Sequence, residues 1–387
     1  MKNIVRTLVL LVIIVVNANV QAGISVVKKR LLSDSDRHVL LDAKKFNETI
    51  GKNGWYLSDR LIDGVQISDV VVSRGEVKDV DILKTKILNS VFKNVVFRNV
   101  KFHEGLVKNT TFENVIFEKC EFVFQQMQSA KCVRCRFVES KVERGSGEKN
   151  IFEHTEFSNF EELKSSYKAN IYSDVKYTKS KINIEFYDSE FIDYTLEDVV
   201  CIKGKYGSKK IKNMHVIGGE FEGNMFGDID GFIAEKAKKY TIGFGRDSKV
   251  RNIAIRNVNI LIDPTFSSNS SHEDVIIENV DVISDLTVGG NVKHFLVRNS
   301  KLGDLYFLKA NVDGDVTFSN SKITGLTMEE SQVSGLKFVD SSIDGYLYLR
   351  NNKFKGLTFI NSRVLQGADI EVESNQYIDS QEFPIDK

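Results

Sequence analysis

FKNVVFRNVKFHEGLVKNTTFENVIFEKCEF, residues 92–122, decides the fold, because a bulky apolar residue returns at almost every fifth position. The apolar series extends over sixteen positions in register: Ile67, Val72, Val77, Ile82, Ile87, Phe92, Phe97, Phe102, Val107, Phe112, Phe117, Phe122, Met127, Cys132, Phe137 and Val142. A second series, two residues earlier, is mostly small, as at Val95, Thr110 and Ser140. Neither an α-helix, with about 3.6 residues per turn, nor a single strand, with a period of about two, has this spacing.

A period of five predicts a chain that turns a corner every five residues and sends two residues of each side inward. Four sides close a coil of about twenty residues, and coils stack at the strand spacing of about 4.8 Å. Inward residues one coil apart should therefore form ladders. The spacing predicts Phe97 on Phe117 on Phe137, and it predicts a second ladder of Phe92, Phe112, Cys132 and Phe152.

The period returns from Val297 to Val364, with one extra residue before Phe318 and another before Leu349. Glycines mark one corner of each half-coil in this tract, where we expect positive φ: Gly303, Gly314, Gly325, Gly335, Gly345, Gly356 and Gly367. Three stretches between the two tracts, 161–181, 227–249 and 263–274, break the period, and residues 232–239 could form a short helix. In a solenoid, insertions leave one face, which is often the binding face.

The first residues have the pattern of an export signal. Lys2 and Arg6 precede an apolar run over 8–16, and Ala22 ends a small-residue cleavage pattern. Nine apolar residues are too few to span a bilayer core of about 30 Å, and no later segment is long and apolar enough to do so. We therefore expect a protein exported through the secretory route, periplasmic or secreted, with no membrane span after signal removal.

The organisation predicted from these patterns has six parts. They are a signal peptide over 1–22, an N-terminal cap over 23–64 with one amphipathic helix at about 35–50, a regular solenoid over 65–145, an irregular solenoid with inserted loops over 146–295, a second regular tract over 296–372, and a tail over 373–387. The cap would cover the first coil, whose unpaired strand edges otherwise allow an end-to-end oligomer.

The two series resemble the pentapeptide-repeat family, in which a bulky Leu or Phe is centred and a small residue stands two before it. The resemblance covers 65–142 and, less closely, 297–364. It implies a right-handed quadrilateral β-helix, so the predicted fold is all-β, a right-handed parallel β-helix with an N-terminal helical cap. The family is mostly a binding or scaffold fold; some members mimic DNA and inhibit topoisomerases, and others are bacterial effectors acting on host cells. This chain has Val, Ser or Thr before Phe instead of the family's Ala-Asp/Asn-Leu consensus.

The charge balance argues against a nucleic-acid partner. Lys and Arg total 53, as do Asp and Glu, so there is no excess of positive charge. A DNA mimic should be acidic and cytosolic, whereas this chain is near neutral and carries an export signal. A topoisomerase-inhibiting mimic is therefore the weaker alternative.

Few residues have the pattern of a catalytic or metal site. The six histidines lie at no ligand spacing, and we expect no metal and no cofactor. All four cysteines fall on inward positions, which favours buried thiols, with a disulfide bridge as the alternative. A polysaccharide lyase or hydrolase would need converging carboxylates. Acidic residues available for that role are Asp188, Glu190, Asp193, Glu197, Asp198, Asp228 and Asp230, although a solvated face also explains them.

The function predicted from the sequence is that of an exported, non-enzymatic β-solenoid that binds a macromolecule, and the partner we expect is a protein. The second alternative is a carbohydrate-active β-helix enzyme, so that a polysaccharide partner stays open. We expect the binding surface on a protruding loop at 227–249, where aromatic and basic residues occur together. The residues expected to contact the partner are Phe232, Lys236, Lys238, Lys239 and Phe244.

Overall fold

A computed structural model describes residues 30–31, 54–244, 248–365, 368–381 and 384. The predicted signal peptide at 1–22 and the predicted helix at 35–50 lie outside the described residues. All regular elements in the described ranges are strands, and no helix there is long and apolar enough to cross a membrane. The strands pair in parallel, which confirms the predicted parallel β-solenoid. The chain divides into two compact units, residues 1–185 and 186–387.

The first unit is built mostly from three-residue strands separated by two-residue corners. Its strands are β1 (Arg30–Leu31), β2 (Trp55–Ser58), β3 (Arg60–Asp63), β4 (Gln66–Ser68), β5 (Val71–Val72), β6 (Gly75–Lys78), β7 (Asp81–Leu83), β8 (Lys86–Leu88), β9 (Val91–Lys93), β10 (Val95–Arg98), β11 (Lys101–His103), β12 (Leu106–Lys108), β13 (Thr111–Glu113), β14 (Ile116–Glu118), β15 (Glu121–Val123), β16 (Gln126–Gln128), β17 (Lys131–Val133), β18 (Arg136–Val138), β19 (Lys141–Glu143), β20 (Ser146–Glu148), β21 (Ile151–Ser158), β22 (Glu161–Lys168) and β23 (Ile171–Thr178).

The second unit has longer strands that continue around corners. β24 (Lys181–Glu197) contributes its residues from Phe186 onward. The others are β25 (Val200–Ile217), β26 (Glu220–Glu235), β27 (Lys239–Phe244), β28 (Lys249–Arg256), β29 (Ile260–Phe266), β30 (Ser271–Glu278), β31 (Val282–Arg298), β32 (Lys301–Ser319), β33 (Lys322–Glu329), β34 (Gln332–Val339), β35 (Ser342–Arg350), β36 (Lys353–Lys355), β37 (Thr358–Ile360), β38 (Arg363–Val364), β39 (Asp369–Glu373) and β40 (Gln376–Ile378).

Phenylalanine ladders fill the core of the first unit, as the period predicts. Phe117 lies in register between Phe97 and Phe137, with ring centroids 5.1 and 4.7 Å away. The ladder continues through Phe157 to Tyr177. The second predicted ladder is also present, since Cys132 pairs with Phe112 on one side and Phe152 on the other. Each ring is sandwiched in register, so the burial repeats from coil to coil.

Most corners of the first unit are formed by non-glycine residues in the left-handed region. Asn89, Asn94 and Asn99 have φ of 48, 50 and 53°, a conformation that asparagine tolerates better than most residues. Their amides also bond along the solenoid, as where Asn114 Nδ2 donates to Asn94 Oδ1 at 3.2 Å. Most corners of this unit are therefore formed without glycine, Gly64 with a φ of 64° being an exception. In the second unit Gly314, Gly335 and Gly356 have φ of 145, 72 and 69°, as we expected of the corner glycines, but no positive φ occurs at Gly303, Gly325 or Gly345. Gly367 lies outside the described residues.

Small polar residues of the second series complete the backbone hydrogen bonds at the corners. Ser140 Oγ accepts from the buried backbone N–H of Cys120, one coil earlier, at 2.9 Å. Phe160 N–H is bonded in the same way by Ser180 Oγ at 3.1 Å. A buried N–H without a partner is costly, so these hydroxyls are required where the chain leaves the ladder.

Two of the three stretches expected to break the period, 161–181 and 227–249, do not form the inserted loop or helix that we expected. Residues 161–181 keep the register, with Glu161 and Tyr172 opposite Lys141 and Phe152, so no loop is inserted there. Residues 232–239 form no helix: β26 runs to Glu235, and a short corner precedes β27. The third stretch is a turn in part, between the end of β29 at Phe266 and the start of β30 at Ser271. The residues over 161–181 and 227–244 therefore belong to the coils.

Coils in the second unit vary in length. Ser248 Oγ accepts from Gly227 N, 21 residues earlier, and Ser270 Oγ accepts from Ser248 N, 22 residues earlier. Further along, Asn352 bonds Ser331 21 residues earlier and Asn375 bonds Asn352 23 residues earlier. The extra residues are absorbed as register shifts, as between Asp313 and Val316, and these shifts change which outward side chains become neighbours.

Candidate functional site

The binding loop predicted at 227–249 does not form a joint aromatic and basic surface. Phe232 is 0% exposed and Phe244 is 2% exposed, and their rings pack edge to face at 6.3 Å inside the solenoid. The expectation that Phe232 is exposed is wrong. Lys236, Lys238 and Lys239 are exposed, so the lysines face solvent while the aromatic rings belong to the core. A role of these lysines in partner binding stays a prediction.

Several acidic residues considered for catalysis bond to the neighbouring coil. Asp193 Oδ1 accepts from Asn213 Nδ2 at 2.8 Å, and Asp230 Oδ1 accepts from Asn252 Nδ2 at 2.7 Å. Asp228 Oδ1 accepts from the backbone N–H of Lys249 at 3.1 Å. Glu190 forms an ion pair with Lys209 at 3.4 Å. These carboxylates are part of coil-to-coil bonding on the surface of the second unit.

All four cysteines are buried and free, which confirms the interpretation as packed thiols. Burial raises the pKa of the Cys120 thiol to about 12. A thiol that does not ionise at physiological pH is a weak nucleophile and a weak metal ligand. In the described part of the chain no group of three His, Cys, Asp or Glu residues could hold a metal ion.

The surface that sequence reasoning missed is an outward face of the second unit, which we call the tyrosine face. It comprises the outward residues of five segments aligned in register, 285–288, 304–308, 325–329, 346–350 and 369–373. Tyr306, Thr327 and Tyr348 form one column of this face. Asp304, Gly325 and Tyr346 form the neighbouring column. All three tyrosines are half-buried and keep part of the ring accessible.

Tyr346 reaches this face because the strand carries an extra residue. The series steps from Ile343 to Leu349 in six residues instead of five, and a register shift on β33 accommodates it. The ring then lies over Gly325, where a Cβ atom would be 2.2 Å from the Tyr346 ring. Glycine is required at 325 because of this close approach, not because of its φ.

Hydrogen bonds fix the positions of the three rings. Tyr346 Oη donates to Tyr306 Oη at 3.4 Å, and Tyr306 Oη donates to Asp304 Oδ2 at 3.2 Å. Tyr348 Oη donates to Asp369 Oδ2 at 2.6 Å, and the Tyr346 and Tyr348 rings stack at 4.9 Å. The rings are therefore ordered before any partner arrives, which lowers the entropic cost of binding.

The tyrosine hydroxyls on this face stay protonated. Burial, together with the hydrogen bonds to Tyr306 and Asp304, raises the pKa of Tyr346. The hydrogen bond to the Asp369 carboxylate raises the pKa of Tyr348. Both phenols are consequently neutral hydrogen-bond donors across the physiological range.

Carboxylates dominate the charge of the tyrosine face. The acidic residues on its five segments are Asp285, Asp304, Glu329, Asp369, Glu371 and Glu373, and the basic one is Arg350. Arg350 already pairs with two of them, at 2.5 Å to Glu371 and 3.4 Å to Glu373. Because the whole chain has equal numbers of acidic and basic residues, this acidic excess is local.

A surface cavity of about 170 Å³ opens beside Tyr348 on the tyrosine face. Its walls are Thr327, Met328, Glu329, Tyr348, Leu349, Arg350 and Glu371. The cavity brings together an aromatic ring, two carboxylates and the Arg350 guanidinium that pairs with Glu371, and it lies where β33 and β35 run side by side.

A second group of polar residues lies inside the first unit. Glu162 is 2% exposed and continues an inward ladder, since Phe122 pairs with Val142 on the next coil and Val142 pairs with Glu162 on the coil after that. Tyr167 Oη donates to Glu162 Oε1, and a cavity of about 50 Å³ adjoins the pair. Burial raises the pKa of Glu162 to about 7, although the hydrogen bonds from Tyr167 and Ser165 act in the opposite direction.

The comparisons with known proteins return solved structures of solenoid proteins. No family model matches the sequence, and no curated protein matches it. HetL, a pentapeptide repeat protein from the cyanobacterium Nostoc, has 10% identity over 42% of this chain and 87% of its own, with a TM-score of 0.25. QnrB1, a plasmid-mediated fluoroquinolone resistance protein, has 16% identity over 46% of this chain and 82% of its own, with a TM-score of 0.22.

A structure of a carbohydrate-modifying enzyme also matches. The A-module of the mannuronan C-5 epimerase AlgE4 from Azotobacter vinelandii has 9% identity over 87% of this chain and 95% of its own, with a TM-score of 0.24. At such identities and TM-scores, none of these likenesses bears on activity, substrate or partner.

Proposed function

We propose that the protein is an exported, non-enzymatic β-solenoid of the pentapeptide-repeat type that binds a protein partner. The assignment to this type is supported by the period of five over 65–142 and by the stacking of Phe97, Phe117 and Phe137 in register. Export is supported by the basic start and apolar run at the beginning of the sequence. Mass spectrometry of protein recovered from fractionated cells should find a mature N-terminus at Gly23.

The observation that carries the binding role is the tyrosine face. Tyr306, Tyr346 and Tyr348 are held by hydrogen bonds with their rings on the surface. Rigid tyrosines provide a large contact area at a low entropic cost, and they are enriched in protein interfaces. Polar residues elsewhere on the surface also bond between coils, such as Arg98 with Glu76 and Glu118, so the group of tyrosine rings, and not its ion pairs, sets this face apart.

The charge of this face favours a protein over an anionic polymer. Nucleic acids and acidic polysaccharides would meet a surface with a carboxylate excess, which repels them. A carbohydrate-active solenoid is the second candidate, because exposed aromatic rings beside carboxylates also suit a neutral sugar chain. This second candidate differs from the first because an enzyme must release a product from the polysaccharide, whereas a binding protein need not.

A photo-crosslinking amino acid at position 287 tests the binding role. Thr287 is half-buried and pairs with Tyr306, so a reactive group there would lie at the edge of the tyrosine face. Irradiation of the producing cells should yield a discrete protein adduct. The same group in place of the exposed Glu156 in the first unit is the control and should give no such adduct.

The contrary outcomes are distinct. Absence of a protein adduct at position 287 would contradict the proposal. Release of oligosaccharides when the purified protein is incubated with polysaccharides would favour the second candidate instead.

A further inference from the structure

We propose that the tyrosine face binds a basic segment of the partner protein and that the cavity beside Tyr348 receives a lysine or arginine side chain. This inference rests on the proposed binding role and specifies the chemistry of the partner. It follows from three separate features of the face: its ring positions, its charge and the cavity between its strands.

The ring positions provide the first part of a cation site. Tyr346 and Tyr348 stack at 4.9 Å with an interplanar angle of 24°. Their hydroxyls point to Tyr306 and Asp369, respectively. A cation within about 6 Å of a tyrosine ring face is attracted by the ring quadrupole. A fixed ring next to a cavity is consequently a contact for an ammonium or guanidinium group.

Charge complementarity selects a basic occupant. Glu329 and Glu371 line the cavity, and Asp304 and Asp369 lie on the neighbouring column. Arg350 offsets part of this charge, since its guanidinium pairs with Glu371 and Glu373. With six carboxylates to one guanidinium on the face, an added cation gains attraction, and an added anion is repelled.

The cavity volume fits one long side chain. The cavity of about 170 Å³ has room for one long side chain. The aliphatic stem would pack against Tyr348 while the charged end reaches the carboxylates, as such side chains commonly do. Leu349 and Met328 are 1% and 0% exposed and belong to the core beneath the cavity, so the Tyr348 ring provides the apolar contact for the stem.

The test uses the full chain and a fluorescent peptide of eight lysines, with fluorescence anisotropy as the readout. The matched probe is the same peptide with all lysines acetylated, which keeps the length and removes the charge. We expect the lysine peptide to bind, with an affinity that falls as salt rises, and the acetylated peptide to bind much more weakly.

Substitution of the tyrosines separates a specific site from diffuse attraction. Tyr348→Ala changes no charge and should weaken peptide binding about five-fold, whereas Tyr348→Phe keeps the ring and should bind about as well as the natural chain. Tyr56→Ala removes a tyrosine that is 44% exposed in the first unit and should leave binding unchanged. Circular dichroism confirms that each variant is folded.

Carboxylate variants complete the test. Glu329→Gln should also weaken binding several-fold, whereas Glu156→Gln, in the first unit, should not. Equal affinity of Tyr348→Ala and Tyr56→Ala would overturn the proposal, because binding would then be diffuse. Binding of a neutral glucose hexasaccharide in place of the lysine peptide would also overturn it and would indicate a sugar platform.

The lysine-peptide experiment and the crosslinking experiment can fail independently, so failure of this inference is distinguishable from failure of the proposed function. A protein adduct at position 287 without lysine-peptide binding would mean that the face binds a protein of different chemistry. Failure of both experiments would contradict the binding role itself.

Discussion

Phe117 shows how much stability depends on a single residue in a stacked core. It is 3% exposed and lies between two stacked rings. Phe117→Ala would leave a cavity that neighbouring coils cannot close, so we expect a loss of about 3–5 kcal/mol in the free energy of unfolding. Urea unfolding of the purified protein measures this loss.

Phe124→Ala is the matched control for that substitution. Phe124 is 41% exposed at a corner of the same unit, with Arg144 above its ring at 5.1 Å. Its removal should cost less than about 1 kcal/mol. A loss below about 1 kcal/mol for Phe117→Ala as well would mean that the ladder does not support the fold.

Glu162 makes the stability of the first unit depend on pH. Burial raises its pKa from 4.5 to about 7, so the folded state keeps a proton that the unfolded chain has already released. This residue imposes no penalty below pH 4.5, and the stability then falls as the pH rises towards 7 and is constant above it. The full penalty is about 3 kcal/mol.

Glu162→Gln should remove this part of the pH dependence. Because the amide cannot ionise, the variant should lose less stability than the natural chain between pH 4.5 and pH 7.5. Glu156→Gln is the control, since Glu156 is an exposed partner of Arg136. Urea unfolding at both pH values measures the difference, and an equal loss in Glu162→Gln and the natural chain would show that Glu162 is not buried as described.

At the scale of the element, the corner is the part of each coil that requires a specific side chain. Ser140 Oγ accepts from Cys120 N–H and donates to a backbone carbonyl, with Phe117 O and Val138 O both 3.0 Å away. Ser140→Ala leaves the buried N–H unpaired, so we expect a loss of about 1–3 kcal/mol. Ser158→Ala, at a half-buried outward position, should change the free energy of unfolding by less than about 0.5 kcal/mol. Similar losses from both substitutions in urea unfolding would contradict the role of the hydroxyl.

The side of the coil at 232–234 was harder to predict because the order of large and small inward residues is reversed there. Phe232 and Ala234 fill the two inward positions of one side, but the bulky residue comes first instead of second. A search for a bulky residue preceded by a small one therefore misses the register. Glu162 was missed similarly, because a charged residue occupies a ladder position in an otherwise apolar series.

At the scale of the whole molecule, the sequence predicts the inside better than the outside. Inward residues must repeat with the coil, so ladders such as Phe97–Phe117–Phe137 follow from spacing alone. Outward residues carry no such period, and their neighbours depend on coil lengths that vary in the second unit. The available signal for the tyrosine face was the combination of Tyr306 and Tyr348 at outward positions with the extra residue before Leu349.

The central claim is that a period of five closes coils of twenty residues, and spin labels on the first unit test it most directly. Thr111 and Lys131 are paired in register on adjacent coils, whereas Glu121 lies half a coil from both, on the opposite side. The native cysteines are buried and should resist labelling. Nitroxides at 111 and 131 are predicted to show strong dipolar broadening in their electron paramagnetic resonance spectrum, because adjacent strands are about 4.8 Å apart, and nitroxides at 111 and 121 are predicted to show none. Broadening for the 111 and 121 pair, or its absence for 111 and 131, would contradict the account.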